Sequence, residues 1–319
     1  MNSEAVTSTQ MPLWAWLVFG AIILVLLVLD LKVFHRKSSV VTIKQSLLWT
    51  AFWISLALVF DLGILLWRGS GPSLNFLTCY LIEESLSVDN LFVFLMVFSF
   101  FAVPVAYQHK VLFWGIIGAI VLRLAFIEAG ATLLENFDWV FYIFGAFLII
   151  AALRMAFQKE KDIHPEKNPV LRIMRKFMGV TEGYEGDRFF VKRFSRYVAT
   201  PLFITVIVIE TTDLVFALDS IPAAFSITLD KFIIYTANIF AILGLRSLYF
   251  ALAGIMPLFH YLKYGLVIVL MFVGVKMLLA QHYEIPTGIA LSVVVGVLVI
   301  AVIASIIRNR KKAANGTAE

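Results

Sequence analysis

The sequence predicts an all-α, polytopic membrane protein with about nine transmembrane helices and two inverted three-helix repeats within them. Three observations lead there. The 319 residues are 61% hydrophobic and only 15% charged, whereas an average soluble domain is about 25% charged. That much apolar mass has no place in one globular core. Second, the apolar residues fall into runs of roughly 20 residues, the length that crosses a bilayer. The runs do not alternate as barrel strands do, which leaves helices as the spanning form. Third, two acidic stretches inside these runs look like copies of one another: Glu83-x5-Asp89-Asn90 and Asp213-x5-Asp219-Ser220.

Taken in order, the predicted spans are 12–33, 44–67, 74–101, 111–134, 137–157, 198–225, 232–256, 264–281 and 286–307. The first is too long for a signal-peptide core, and residues 1–31 contain no Lys or Arg, so it reads as a helix rather than a cleaved leader. Every second connection is basic. Lys32, Arg36, Lys37 and Lys44 flank the first, His109 and Lys110 mark the third, and Lys263 marks the seventh. Segment 158–197 carries ten Lys/Arg against six Asp/Glu, and Arg308, Arg310, Lys311 and Lys312 close the chain. The other connections (68–73, 133–138, 226–231, 282–286) are short and poor in charge. By the positive-inside rule the N-terminus is expected outside and the C-terminus in the cytoplasm. The net charge of +5 is thus a topology signal and not a nucleic-acid footprint. Trp14, Trp16 and Trp67 sit at span ends as interfacial anchors. Segment 158–197 reads as a cytoplasmic loop on the anionic leaflet, with a short amphipathic basic stretch at 170–178. One cysteine, Cys79, excludes an intrachain disulfide and a cysteine-cluster metal site.

The likeness of the two acidic stretches extends along the chain. Each is followed by an arginine (Arg123, Arg246), then by Tyr142-x11-Arg154-Met155 in one case and Tyr264-x11-Lys276-Met277 in the other. Residues 74–157 and 198–281 therefore read as two repeats of three spans. Three spans reverse the chain's direction, so the copies have opposite topology, an arrangement common in secondary transporters whose sites lie near the midplane. Around them stand an N-terminal pair of spans (1–73), the loop 158–197 and a last span with its basic tail (282–319).

Carboxylates at bilayer depth cost about 2.5–3.5 kcal/mol on insertion scales, so they need a reason. Asp89 and Asp213 each lie about 15 residues into their spans, roughly 22 Å along the helix. Residues seven apart share a helix face, so Glu83 stacks with Asn90 and Asp213 with Ser220; Asp89 and Asp219 look sideways from those faces. Each helix must then be enclosed by neighbours or locally unwound. Pro222 favours unwinding, because it removes the donor that the Leu218 carbonyl would use. Glu83, Asp89, Asn90, Glu210, Asp213, Asp219 and Ser220 offer oxygen only, which suits Mg²⁺, Ca²⁺ or Mn²⁺ better than zinc or copper. The competing reading is ion pairing to Arg123 and Arg246 for packing alone, but five acids against two arginines leave a surplus. Arg123 and Arg246 are expected as counter-ions that hold the acids or stand in for metal in the empty state. Asp30 and Asp61 are candidate pathway residues, and Glu84 and Glu128 are either similar or simply paired.

At these residues the sequence resembles the TerC/Alx family of integral membrane proteins. The stretches TCYLIEESLSVDNLFVFLMVF (78–98), IETTDLVFALDSIPAAF (209–225), NIFAILGLRSLYFALAG (238–254) and LKYGL (262–266) carry the resemblance, which covers nearly the whole chain. It implies a protein of the bacterial inner membrane linked to Mn²⁺ efflux, with older associations to tellurium resistance and alkaline pH. It also implies kinship with the wider LysE-type exporters, built as inverted three-helix repeats. The family's expected metal positions fall on Glu83, Asp89, Asn90, Glu210, Asp213, Asp219 and Ser220.

The expected function is export of a divalent cation, Mn²⁺ foremost, by alternating access. Protons competing for the same carboxylates are the candidate coupling ion, and no tightly bound cofactor is expected. The alternatives are a membrane scaffold or sensor acting through 158–197, an amino-acid exporter, and an intramembrane metal enzyme. No HExxH, GxSxG or nucleophile–base pair supports an enzyme.

Overall fold

Each of the nine apolar stretches folds as a helix in the computed structural model, which describes residues 11–34, 43–137, 139–157, 179–193, 196–253, 261–280, 282–283 and 285–316. In chain order these are α1 (Leu13–Phe34), α2 (Ile43–Arg68), α3 (Ser70–Phe100), α4 (Val105–Asn136) and α5 (Val140–Phe157), then α6 (Pro201–Phe225), α7 (Lys231–Ala253), α8 (Leu262–Leu279) and α9 (Thr287–Gly316). Seven of them, α2 and α4 to α9, are long and apolar enough to cross a membrane. The apolar part of α1 is shorter, Leu13–Val28, and Glu83, Glu84 and Asp89 dilute the apolar run of α3.

Helix ends differ from the predicted spans where polar residues extend a helix past the apolar run. Residues 70–73, expected in a loop, form the first turn of α3. Pro72 is harmless there because first-turn N–H groups have no intrahelical acceptor. Gly69, with φ of 87°, alone separates α2 from α3; this left-handed backbone is open to glycine at little cost. At 32 residues, α4 is about 48 Å long, well beyond the roughly 30 Å apolar layer. Its first turns, Ala106-Tyr-Gln-His-Lys110, project past the apolar run. The unwinding expected in α6 is absent: the helix runs continuously through Pro222 to Phe225. The proline sits in the last turn, where the Pro222 carbonyl still accepts from Ser226 N–H at 3.0 Å.

Helix α7 is the centre of the bundle and is almost wholly buried. Helices α2, α3 and α4 pack around it, α6 packs on α3 and α4, and α5 makes its main contact with α8. The pattern is self-consistent under exchange of α3-α4-α5 for α6-α7-α8: α3 meets α7 as α6 meets α4, α3 meets α6, α4 meets α7 and α5 meets α8. Gly145 and Gly274 make the α5–α8 crossing close. A Cβ on Gly145 would stand 2.9 Å from the Gly274 carbonyl oxygen, and one on Gly274 would stand 3.0 Å from that of Gly145. Large apolar side chains on α1, α2, α5 and α9 are exposed on the outside of the bundle, as a lipid-facing belt requires. Trp14 and Trp67 are exposed and meet at 5.1 Å between ring centroids. Trp16 departs from the anchor expectation, turning inward onto Phe232 and Tyr235.

Within the 158–197 segment the structure describes residues 179–193 and 196–197. Its amphipathic stretch 170–178 lies outside the described residues. After it come two short antiparallel strands, β1 (Phe190–Arg193) and β2 (Arg196–Ala199). This hairpin is fastened to one end of the bundle. Lys110 Nζ donates to Asp187 and lies over the Phe189 ring, and the Tyr184 hydroxyl donates to the Phe101 carbonyl at 2.7 Å. Hydrogen bonding from the Lys110 ammonium holds the Asp187 carboxyl below its ordinary range.

Candidate functional site

The charged positions of the middle helices meet at one arginine. Arg123, near the middle of α4, is 1% exposed. Its Nη2 and Nε donate to Asp213 Oδ1 and Oδ2 of α6 at 3.2 and 3.3 Å. Its Nη1 is in direct contact with Glu83 Oε1 of α3. The same nitrogen faces Ser220 Oγ of α6 at 3.5 Å and Asn238 Oδ1 of α7 at 3.4 Å. Glu83, Asp213, Ser220 and Asn238 are each 2–3% exposed. Three helices therefore close around a guanidinium carried by a fourth, and every partner atom is an oxygen. The seven-residue spacing predicted that Asp213 and Ser220 share a face, and both reach Arg123 from α6.

Two carboxylates against one guanidinium leave the cluster one formal negative charge in surplus, away from water. Such pairing is strongly directional in energy: losing one member of a buried pair costs about 3–5 kcal/mol, because the survivor stays buried and uncompensated.

The other predicted residues are distributed around this centre. Glu210, one turn before Asp213, lies against Gly118 of α4, where an added Cβ would collide with its carboxylate. Its Oε2 is buried without a hydrogen-bond partner. Across the bundle, Glu84 of α3 comes within 3.9 Å of the Cβ position on Gly244 of α7, and its Oε2 is likewise unpartnered. Asp219 is half-buried and turned away from Arg123, within electrostatic range of Arg154 on α5. Asn90 is buried on α3. The side chains of Asp89 and Asp30 lie outside the described residues. Asp61 on α2 is half-buried, and its Oδ1 has no hydrogen-bond partner. Arg246 on α7 contacts His109 of α4 at 3.5 Å, and the His109 ring lies 4.1 Å from that of Phe250. Glu128 is paired with Lys231 at 2.9 Å and with the Tyr235 hydroxyl, at the bundle end opposite the hairpin. Among the described residues, no three His, Cys, Asp or Glu side chains come together as a metal-ligand set; the Arg123 cluster combines two carboxylates with neutral oxygens.

Two contributors escaped the sequence reading. Asn238 is uncharged, and attention to charges alone passes over it, although an amide buried in an apolar span calls for a partner. Lys276 was read only as a repeat marker. It is buried on α8, and its Nζ donates to the Ser226 carbonyl at the C-terminus of α6 at 2.7 Å, where a cation is favoured by the helix dipole. Met277 is fully buried packing.

Fold and site together define an integral, multi-pass helical membrane protein with a charged, oxygen-lined cluster sealed among its central helices. The chain belongs to the TerC family of integral membrane proteins, which it matches over residues 69–313. It is 48% identical over 295 residues to an uncharacterised membrane protein of Myxococcus xanthus, with 92% of each chain covered. A membrane protein of Rickettsia bellii is 44% identical over 295 residues, covering 92% of this chain and 98% of its own. An Escherichia coli K12 protein provisionally named membrane-bound redox modulator Alx is 43% identical over 297 residues, covering 90% and 92%. No solved structure matches the chain.

Proposed function

We propose that this protein is a secondary transporter that exports a divalent metal cation, Mn²⁺ foremost, across the bacterial inner membrane by alternating access. The site is drawn from the oxygen-bearing residues Glu83, Asp89, Asn90, Glu210, Asp213, Asp219 and Ser220 of the central spans, and inward proton movement drives export. The observation that carries the reading is the convergence of Glu83 from α3 with Asp213 and Ser220 from α6 in the interior of the bundle, each presenting oxygen. Hard, oxygen-preferring cations are the ligands that such groups select. Nine spans with an outer N-terminus and a cytoplasmic C-terminus fit the basic connections. The self-consistent packing of α3-α4-α5 with α6-α7-α8 supports an inverted repeat, with the site at its interface. Metal is substrate here, and its passage requires no resident cofactor and no enzymatic step.

The relatives' name invokes redox modulation. In this chain the single cysteine is buried, so a dithiol exchange within one chain is unavailable, and metal homeostasis is the better account.

The test is the metal content of a strain lacking the protein, grown with graded Mn, Fe, Co, Zn, Mg and Ca. Selective Mn accumulation, reversed by the wild-type chain, is expected. Unchanged Mn content would defeat the cargo assignment. For the coupling ion, Mn²⁺ uptake into everted vesicles should rise with an imposed pH gradient; uptake indifferent to it would remove proton exchange.

A further inference from the structure

We infer that Arg123 is a tethered competitor of the transported cation: its guanidinium occupies the cation's place in the oxygen cage and must withdraw when a divalent ion enters. This rests on the proposed transport reading and deepens it. Five oxygens from four side chains surround the group, namely Glu83 Oε1, Asp213 Oδ1 and Oδ2, Ser220 Oγ and Asn238 Oδ1. Those are carboxylate, hydroxyl and amide oxygens, the donor types that bind a hard dication.

Charge makes the two occupants exclusive. With Arg123 in place the two carboxylates retain one negative charge. A dication in its place would be neutralised by the same two carboxylates. Both cations together would leave one positive charge in excess in a site this deeply buried, which low polarity penalises strongly. Polar capacity left over in the cluster fits a second arrangement. Asn238 Nδ2 is buried without a hydrogen-bond partner, although Oδ1 of the same amide faces Arg123. Ser87 Oγ, one helical turn after Glu83, is likewise buried and unpartnered. Buried polar atoms are normally satisfied, so these two are spare oxygen and nitrogen capacity beside the guanidinium. Arg123 then does for the empty transporter what substrate does for the loaded one. It offsets one of the two carboxylate charges so that the unloaded bundle can change conformation, and it helps to expel the bound ion.

The experiment uses the full-length protein purified in detergent, with Mn²⁺ alone as probe. Binding is read from the loss of the free Mn²⁺ paramagnetic resonance signal, and flux is measured after reconstitution. Arg123→Gln is expected to bind Mn²⁺ at least about tenfold more tightly, a change of about 1.4 kcal/mol, and to transport it more slowly. Arg123→Lys, which keeps the charge but not the fork, is expected to lie between the two. If Arg123→Gln is recovered only when Mn²⁺ is present during purification, that also supports the inference. Arg123→Gln and Arg123→Lys binding Mn²⁺ as weakly as wild type, or more weakly, would overturn it. Glu83→Gln and Asp213→Asn separate the two levels. If they abolish binding while both Arg123 variants match wild type, the competitor role falls and the site stands. If they bind and transport as wild type does, the site reading itself fails.

Discussion

Replacing Asp213 by Leu should destabilise the protein by about 3–5 kcal/mol, the range measured when one member of a buried ion pair is removed. The lower part of that range is expected, because Glu83 still compensates the Arg123 charge. Asp213 gives Arg123 two of its oxygen contacts, at 3.2 and 3.3 Å, and both side chains are at most 4% exposed, so water cannot replace what is lost. The remaining carboxylate, Glu83, touches only one terminal nitrogen. Reversible unfolding in mixed micelles of increasing SDS fraction supplies the free energy. The decisive comparison is the triple variant Glu83→Met, Arg123→Met, Asp213→Leu. It removes the charges together and leaves no buried ion uncompensated, so it should recover most of the loss, because apolar replacement of whole buried ionic sets is often neutral or better. Additive losses, with the triple variant less stable than Asp213→Leu, would refute the claim that these three groups act as one desolvated unit. So would a single-variant loss below about 1 kcal/mol, the scale of an exposed pair.

Two further predictions concern the scaffold. Gly274→Ala places a methyl 3.0 Å from the Gly145 carbonyl oxygen and 2.9 Å from Ile149 Cγ1; overpacking of this kind costs about 1–3 kcal/mol. A melting curve in detergent checks it, and an unchanged midpoint would mean that α5 and α8 do not cross so closely. Ala102, in the α3–α4 turn, has φ of 49°, a conformation that costs a non-glycine residue about 1–2 kcal/mol. Ala102→Gly should therefore raise stability by roughly 1 kcal/mol or less once glycine's greater unfolded-state freedom is subtracted; a loss would contradict the assigned backbone.

Among the described residues the apolar runs announced the long helices, seven of them long and apolar enough to cross a membrane, because length and hydrophobicity report membrane depth directly. They did not announce helix ends, since a polar first turn such as Ala106–Lys110 continues a helix without being apolar. The hairpin at 190–199 was unreadable for a related reason. Its strands, FVKR and RYVA, are too short and too charged to alternate, and contacts with Lys110 and Phe101 hold the neighbouring backbone in place. Within the site, Glu83, Arg123 and Asp213 were legible because a charge at depth stands out against leucine. Asn238 was not, since an amide carries no charge to count. Which acids meet was settled by packing. Helical spacing separated Asp219 from Asp213, but only the tertiary contacts place Glu210 against Gly118. The Pro222 expectation failed because a proline four residues from a helix end removes one hydrogen bond without interrupting the turns before it.

The central claim is that the carboxylates gathered at Arg123 carry the cation. Its most direct measurement is initial Mn²⁺ flux into everted membrane vesicles containing equal amounts of wild type, Glu83→Gln or Asp213→Asn. Loss of even an outer-shell partner costs about 10–100-fold in metal affinity, so each variant should lose at least that much flux at limiting Mn²⁺. Wild-type flux in both, at matched protein levels, would contradict the account.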